Sequence, residues 1–591
     1  MIHEQMKSAG LETYRMTIRR LALFLAARAP ALGLAAALGL APAPALGAQQ
    51  SDADLAARID RVLAGNATSA APGCAVGVAR DGRIVERAFG MADLELGVPN
   101  TPETIFETGS VAKQFTAAAI VLLAIEGKLR LDDPVRKYIP ELPDYGAPPL
   151  IRHLLNHTSG IRDWGSVLAL TGYGRGDRVI SQALALDVIT HQKGIDFTPG
   201  AEYSYSNSGY TLLATIVERV SHQSLPEFTA ERLFKPLGMT AQWRDDYRRL
   251  VPGRAQAYSP APAAAELPRE QSRDVRVRGA WQLDMPFMNV YGNGGLLLTV
   301  GDLLKWNAML DSRSLGAALV DSMERRGRLN DGREITYALG LEVNSYKGKR
   351  QVAHSGSTAG YNVFLTRVPE LKLSVAVMCN ASVSNPTRLA MRLVDAIAGP
   401  LPDAPTPDTV SMPLTELQKR AGFWRETATH LPATTIVESG ALRVAGGARL
   451  RPLRDGSFLA GQGPAHWQFE MGADGKPAGA RRIAGDGIET FVPETAWSPP
   501  EATLEELAGE WRSEEAGASY TLAIVNGQAV LRQRPETWLP LKPLYRDHFG
   551  PQKGGGEVIW FTRDASGRAT TMHLGASRVR DMPFTRSARA Y

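Results

Sequence analysis

Cysteine is almost missing from this sequence: Cys74 and Cys379 are the only two in 591 residues. That excludes a disulfide-scaffold protein and the paired-cysteine zinc motifs. The His-Glu-x-x-His pattern is absent and the ten histidines are scattered, so no metal and no other cofactor is expected. Charge of one sign is also lacking, with 66 Lys and Arg against 61 Asp and Glu and a net charge of +5. Five cations and two acids of that balance fall in the first 48 residues, leaving the rest close to neutral. No block of five or six like charges occurs, which argues against nucleic acid as a partner. Clean apolar runs of about 20 residues are missing, and with them the signature of a spanning helix. Both cysteines sit in apolar, strand-like runs. They read first as two small buried hydrophobes, with a single bridge as the alternative.

What is present begins with a leader. Arg19 and Arg20 precede an apolar stretch densest at Ala29–Leu40, and small residues close it at Ala45-Leu46-Gly47-Ala48. Residues 1–48 thus read as a signal peptide, with Met16 as an alternative to Met1 as the start. The expected location is periplasmic or secreted.

Residues 55–398 read as one α+β domain. It opens with Cys74–Ala79, Asp81-Gly82 and Arg83–Phe89, and closes with Val363–Val368, Pro369-Glu370 and Leu373–Cys379. Each is a hairpin pattern. Helical periods lie between them at Phe115–Ile125, Thr211–Val220 and Leu303–Met309. Strands at both ends with helices between predict an antiparallel sheet covered by helices. Residues 399–413 are a Pro-rich linker.

Beyond the linker the pattern turns all-β and repeats. Leu414-Thr415-Glu416-Leu417 leads to Gly422-Phe423-Trp424-Arg425, and Leu504-Glu505-Glu506-Leu507 leads to Gly509-Glu510-Trp511-Arg512. Two small lipocalin-like β-barrels are expected, at 414–496 and 501–591. Trp424, Trp467, Trp511, Trp538 and Trp560 read as core filling in preference to stacking faces for glycans.

Three elements carry chemistry. Ser110-Val111-Ala112-Lys113 opens a helical run, and Ser and Lys three apart share one helix face. A helix start favours negative charge developing on the Ser oxygen, and the amine can assist removal of its proton. No other Ser in the chain has a Lys three residues on. Tyr205-Ser206-Asn207 follows a Pro-Gly turn and opens a second helix. A Tyr near cations can act as a base, and an Asn amide can position Lys113. Tyr291-Gly292-Asn293 is the competing segment. The third element is His354-Ser355-Gly356-Ser357, before the closing strands. There His354 could protonate a leaving group or orient a carbonyl, and Gly356 would admit substrate backbone. The backbone N–H groups of Ser110 and Ser357 would form an oxyanion hole.

In this order the three elements resemble the penicillin-recognising serine hydrolases: class C β-lactamases, DD-peptidases and related esterases. Further matching stretches are Thr104-Ile105-Phe106-Glu107-Thr108-Gly109, Leu154-Leu155-Asn156-His157-Thr158-Ser159-Gly160, Pro236-Leu237-Gly238-Met239 and Gly294-Gly295-Leu296-Leu297-Leu298-Thr299. His157 and Ser159 read as structural. The resemblance implies an acyl-enzyme on Ser110, with Lys113, Tyr205, Asn207 and His354 as catalytic partners and Gly356 and Ser357 beside the substrate. β-Lactamases place Lys where this chain has His354. Together with two trailing barrels, that layout looks like the D-aminopeptidases of the group. The implied substrate is a small amide, peptide or ester, cell-wall peptides among them. The alternatives are a β-lactamase or DD-carboxypeptidase, or a non-catalytic penicillin-binding sensor.

Overall fold

Asp81 and Gly82 both take positive φ, 50° and 80°, and turn strand β1 (Cys74–Arg80) into β2 (Arg83–Phe89). This is the turn geometry that matches the twist of flanking strands. Four more strands complete the sheet in this computed structural model: β3 (Glu342–Tyr346), β4 (Lys349–Thr358), β5 (Tyr361–Val368) and β6 (Leu373–Cys379). The order is β3-β4-β5-β6-β1-β2, antiparallel throughout. The structure describes residues 46–66, 70–172, 178–261, 280–399, 401–402, 408–461, 465–533, 537–553 and 556–587. Residues 1–45, where most of the leader falls, and 400 and 403–407 of the Pro-rich segment lie outside them.

Every residue of β6 is buried. A strand covered on both faces reads as a continuous apolar run, not an alternating one. On one face Val76, Val375 and Val377 pack against Leu55 and Ile59 of α1 (Leu46–Leu63) and against Leu393, Val394 and Ile397 of a C-terminal helix, Pro386–Ala398. On the other face lie α2 (Lys113–Ile125), α3 (Trp164–Ala169), α4 (Asn207–Ser221) and α5 (Val300–Ser312), joined in one large core.

Cys74 and Cys379 are register partners on β1 and β6 and form a disulfide. This corrects the reading of two separate buried thiols. The bridge joins strands that are neighbours in the sheet and 305 residues apart in the chain, so local sequence gave no hint of it.

Asp52–Tyr591 forms one compact unit, which includes the β tail. An eight-stranded sheet runs from Gly422 to Pro493, and its two edge strands meet at an Arg443–Arg449 bridge. A closed eight-stranded barrel runs from Gly509 to Arg586. Short helices, Leu414–Gln418 and Glu501–Leu507, precede them. The repeated sequence now has a physical meaning. Leu417 packs in the same core as Trp424, and Leu504 and Leu507 in the same core as Trp511. Trp467 and Trp560 are buried as well, and Trp538 is 52% exposed.

Candidate active site

Ser110 lies on a 3-10 turn, Gly109–Ala112, that runs straight into α2. Gly109 takes φ 51° and packs on Gly356 of β4. A Cβ on Gly356 would lie 2.0 Å from the Thr108 carbonyl oxygen and 2.9 Å from the Ser110 nitrogen, and one on Gly109 would lie 2.6 Å from the Ser357 nitrogen. Both glycines are therefore demanded by backbone contact. The close neighbour that Gly356 admits is the Thr108–Ser110 backbone, and the Ser110 and Ser357 amides border that contact.

Lys113 is fully buried. Its Nζ lies 3.1 Å from Ser110 Oγ, 2.9 Å from Asn207 Oδ1 and 2.6 Å from the Asn293 carbonyl oxygen. The two carbonyl-type oxygens can only accept. Two N–H groups are thus fixed, and the third tetrahedral direction of the nitrogen faces Ser110 Oγ. A proton on that line can sit on either atom without any side chain turning.

Asn207, the first residue of α4, is held in its turn. Its backbone N–H and its Nδ2 both donate to Asp163 Oδ2 at 2.8 Å. Asp163 Oδ1 caps α3 by accepting from the Ser166 backbone N–H at 2.9 Å. Asp163 is a buried residue that sequence reasoning passed over. An Asp three residues before a Ser at a helix start is a readable cap signal, but nothing in it announces Asn207, 44 residues on.

Tyr205 stacks on His157 with ring centroids 4.0 Å apart, and Lys113 Nζ stands 5.0 Å from its ring centre. Its buried hydroxyl faces Ser110 without closing a full hydrogen bond. Burial raises the phenol above its usual range, against the opposing pull of Ser110 and of the Arg578 charge. His157 accepts from the Ser206 backbone N–H at 3.2 Å. Burial, followed by the nearby Lys113, His354 and Arg578, holds it far below an ordinary imidazole. It packs Tyr205 in place. The competing segment approaches through backbone: the Asn293 carbonyl meets Lys113, and the Gly292 carbonyl accepts from Thr116 Oγ1 at 2.8 Å.

His354 is buried on β4. Its Nδ1 lies 2.6 Å from the Ser355 carbonyl oxygen and its Nε2 lies 2.9 Å from Tyr337 Oη. A carbonyl cannot donate, so Nδ1 carries the proton and Nε2 accepts from Tyr337. Burial brings this imidazole down to about 3, with Lys113 adding and the Ser355 contact opposing.

These residues open on a cavity of about 640 Å³ lined by Ser110, Tyr205, Asn207, His354, Gly356 and Ser357, together with Glu107, Glu342 and Arg578. Arg578 comes from the closed barrel, in the turn between strands Ala569–Ala576 and Val579–Arg586. Its guanidinium carbon stands 5.1 Å from the Tyr205 ring centre. The turn is tied down by Asp163, whose N–H donates to the Arg578 carbonyl at 3.2 Å, and by Arg580, which pairs with Glu202 at 2.8 Å. Among the described residues no group of three or more His, Cys, Asp or Glu is placed to hold a metal ion.

A nucleophile-bearing turn, a buried amine on its hydroxyl and an antiparallel sheet edge beside both define a serine hydrolase. The chain belongs to the β-lactamase family, whose model matches residues 56–399. It is 26% identical over 538 residues to a D-aminopeptidase of Brucella anthropi, covering 87% of this chain and 95% of that one. It is 27% identical over 543 residues to a D-aminopeptidase of Brucella melitensis, covering 87% and 96%. The solved structure of SurE shares the fold with a TM-score of 0.52 at 22% identity, over 75% of this chain and 99% of that one.

Proposed function

We propose that this protein is an exported hydrolase of small D-aminoacyl amides and short peptides. The observation that carries the reading is the length of the likeness to the two D-aminopeptidases, which at 87% of this chain extends beyond the catalytic domain. The barrel turn in the catalytic cavity gives that extension a role. His354 supports the same reading, because β4 then carries no Lys at the position where β-lactamases have the one that holds a substrate carboxylate. The disulfide supports export, since such bonds persist in oxidising compartments.

In this mechanism Ser110 Oγ attacks the carbonyl carbon and its proton passes to Lys113 along their 3.1 Å contact. Asn207 and the Asn293 carbonyl keep Lys113 aligned. The Ser110 and Ser357 amides receive the oxyanion, each donor being worth about 3 kcal/mol. Tyr205, neutral because its phenol is raised, donates its proton to the leaving nitrogen and regains one through Lys113. Water then hydrolyses the ester by the reverse steps. His354 keeps its proton on a backbone carbonyl and acts as a positioning residue for Tyr337 and the β4 edge.

The test is one panel on the mature enzyme and its Ser110→Ala variant: D- and L-alaninamide, phenyl acetate and a chromogenic cephalosporin. Cleavage of D-alaninamide in preference to the L form, lost by at least about a thousandfold in the variant, is the expected result. Preference for the L amide, or for the cephalosporin over every amide, would overturn the substrate class. Full activity of the variant would overturn Ser110 as the nucleophile.

A further inference from the structure

The catalytic cavity holds one acid and one base that its chemistry leaves over. Its lining includes two carboxylates. Glu107 is spent on a buried ion pair with Arg244 at 2.7 Å. Glu342, at the start of β3, has no ion pair among the described residues and is met only by the Asn344 amide at 3.2 Å. Its register partner is Ala353, the residue before His354, so its place on the sheet edge is fixed.

The cations divide in the same way. Lys113 is fully engaged with Ser110, Asn207 and Asn293. Arg578 is exposed to the cavity and lies over Tyr205, and its guanidinium makes no ion pair or hydrogen bond among the described residues. This is not a loose surface arginine. Besides Asp163 and Glu202, its turn is fixed by Asp196, which accepts from the Arg580 backbone N–H at 3.0 Å. Arg162, only 5% exposed, also donates to the Asp581 carbonyl at 2.7 Å. Anchoring the turn fixes where this arginine is presented, so only its side-chain rotamers remain to be ordered on binding, and a guanidinium fork matches a carboxylate.

We propose that the cavity is built for a zwitterionic dipeptide, its α-ammonium on Glu342 and its C-terminal carboxylate on Arg578, with the scissile amide at Ser110. This rests on the aminopeptidase-type reading above and narrows it: the preferred leaving group is an amino acid with a free carboxylate, not ammonia. The second barrel then supplies the cation that the sheet edge, with His354 in place of Lys, does not.

The experiment compares kcat/KM on D-alanyl-glycine, D-alanyl-glycinamide and N-acetyl-D-alanyl-glycine, using the full mature chain. Wild type should favour D-alanyl-glycine over its amide by about tenfold or more, the scale of one charge-assisted hydrogen bond. Arg578→Met should bring that ratio close to one, and Arg578→Lys should restore part of it. Glu342→Gln should instead collapse the ratio between D-alanyl-glycine and its N-acetyl form. A merely structural or Tyr205-mediated effect of Arg578 would depress all three substrates together and leave the ratios standing, which would overturn the proposal, as would a wild-type preference for the amide. If no D-alanyl compound is cleaved but phenyl acetate is, in a Ser110-dependent way, the aminopeptidase reading fails separately. Arg578 is then judged on 3-acetoxybenzoate against phenyl acetate. A ratio unaffected by Arg578→Met overturns the anion site there too.

Discussion

Asp163 shows how the site is held at the scale of single atoms. One carboxylate oxygen caps α3 and the other takes both N–H groups of Asn207, which in turn fixes Lys113 on Ser110. Asp163→Asn keeps the size but leaves one acceptor oxygen for two duties, so either the cap or Asn207 meets an NH2 group. A loss of about 10- to 100-fold is expected, the scale known for removing the supporting partner of a metal ligand. The expected outcome is a fall in kcat of that order with KM changed by less than about threefold, read by steady-state kinetics on D-alaninamide or phenyl acetate. An unchanged kcat in a folded variant would remove Asp163 from the alignment of Lys113. Residues such as Ser110, Lys113, Tyr205 and Asn207 were legible in the sequence because each pair is local, one turn of helix or one helix start apart. Asp163, Tyr337, Glu342 and Arg578 were not. Each reaches the cavity by packing between segments far apart in the chain, and single-residue chemistry has no period to detect.

At the scale of elements, the hairpins that open and close the sheet were readable from alternation and from turn residues such as Asp81-Gly82. The register of β1 against β6 was not, because it depends on which strands become neighbours after folding. That register is what puts Cys74 opposite Cys379. The same limit applies to the contact between the Ser110 turn and β4. Gly356 read as room for substrate; it lines the cavity, and the space a Cβ would take is filled by the Thr108 carbonyl. Gly356→Ala would put a methyl group 2.0 Å from that oxygen, so the turn or the strand must move. Overpacking of this kind costs about 1–3 kcal/mol. Displaced oxyanion donors cost about 100-fold or more in kcat. Urea denaturation and hydrolysis of phenyl acetate measure the two effects. Wild-type activity in this variant would mean that the Gly109–Gly356 contact does not set the position of Ser110.

The molecule as a whole carries several imidazoles that burial lowers, and these contribute to its response to acid, while buried carboxylates such as Glu107, Asp196 and Glu342 are raised and act in the opposite sense. His354 and His157 lie in the catalytic domain, and burial lowers both. His153, also buried there, is brought down to about 4. The repeat in the tail predicted two β units but not what joins them. His430 of the first stacks on Trp560 of the second at 4.3 Å, and its Nδ1 lies 3.0 Å from His548 Nε2. His548 Nδ1 faces the Arg546 carbonyl at 2.7 Å and must donate there, so its Nε2 accepts and His430 donates. A second proton on His548 would set two N–H groups against each other. Burial brings His548 down to about 4, and His430 is also lowered, among Arg425, Glu426, Glu494, His573 and Asp581. With folded-state values below 6.5, the unfolded chain binds protons that the native chain does not between about pH 4 and 6.5. The stability these imidazoles contribute therefore rises with pH across that window, is fully present above it and is lost as pH falls, by at most about 1.4 kcal/mol per pH unit for each such group. The midpoint of chemical denaturation should accordingly drop between pH 7 and pH 5. His548→Gln, which keeps an acceptor but cannot take the proton, should make that drop smaller than in wild type. An equal drop in both proteins would show that the joint between the barrels does not contribute to the acid response.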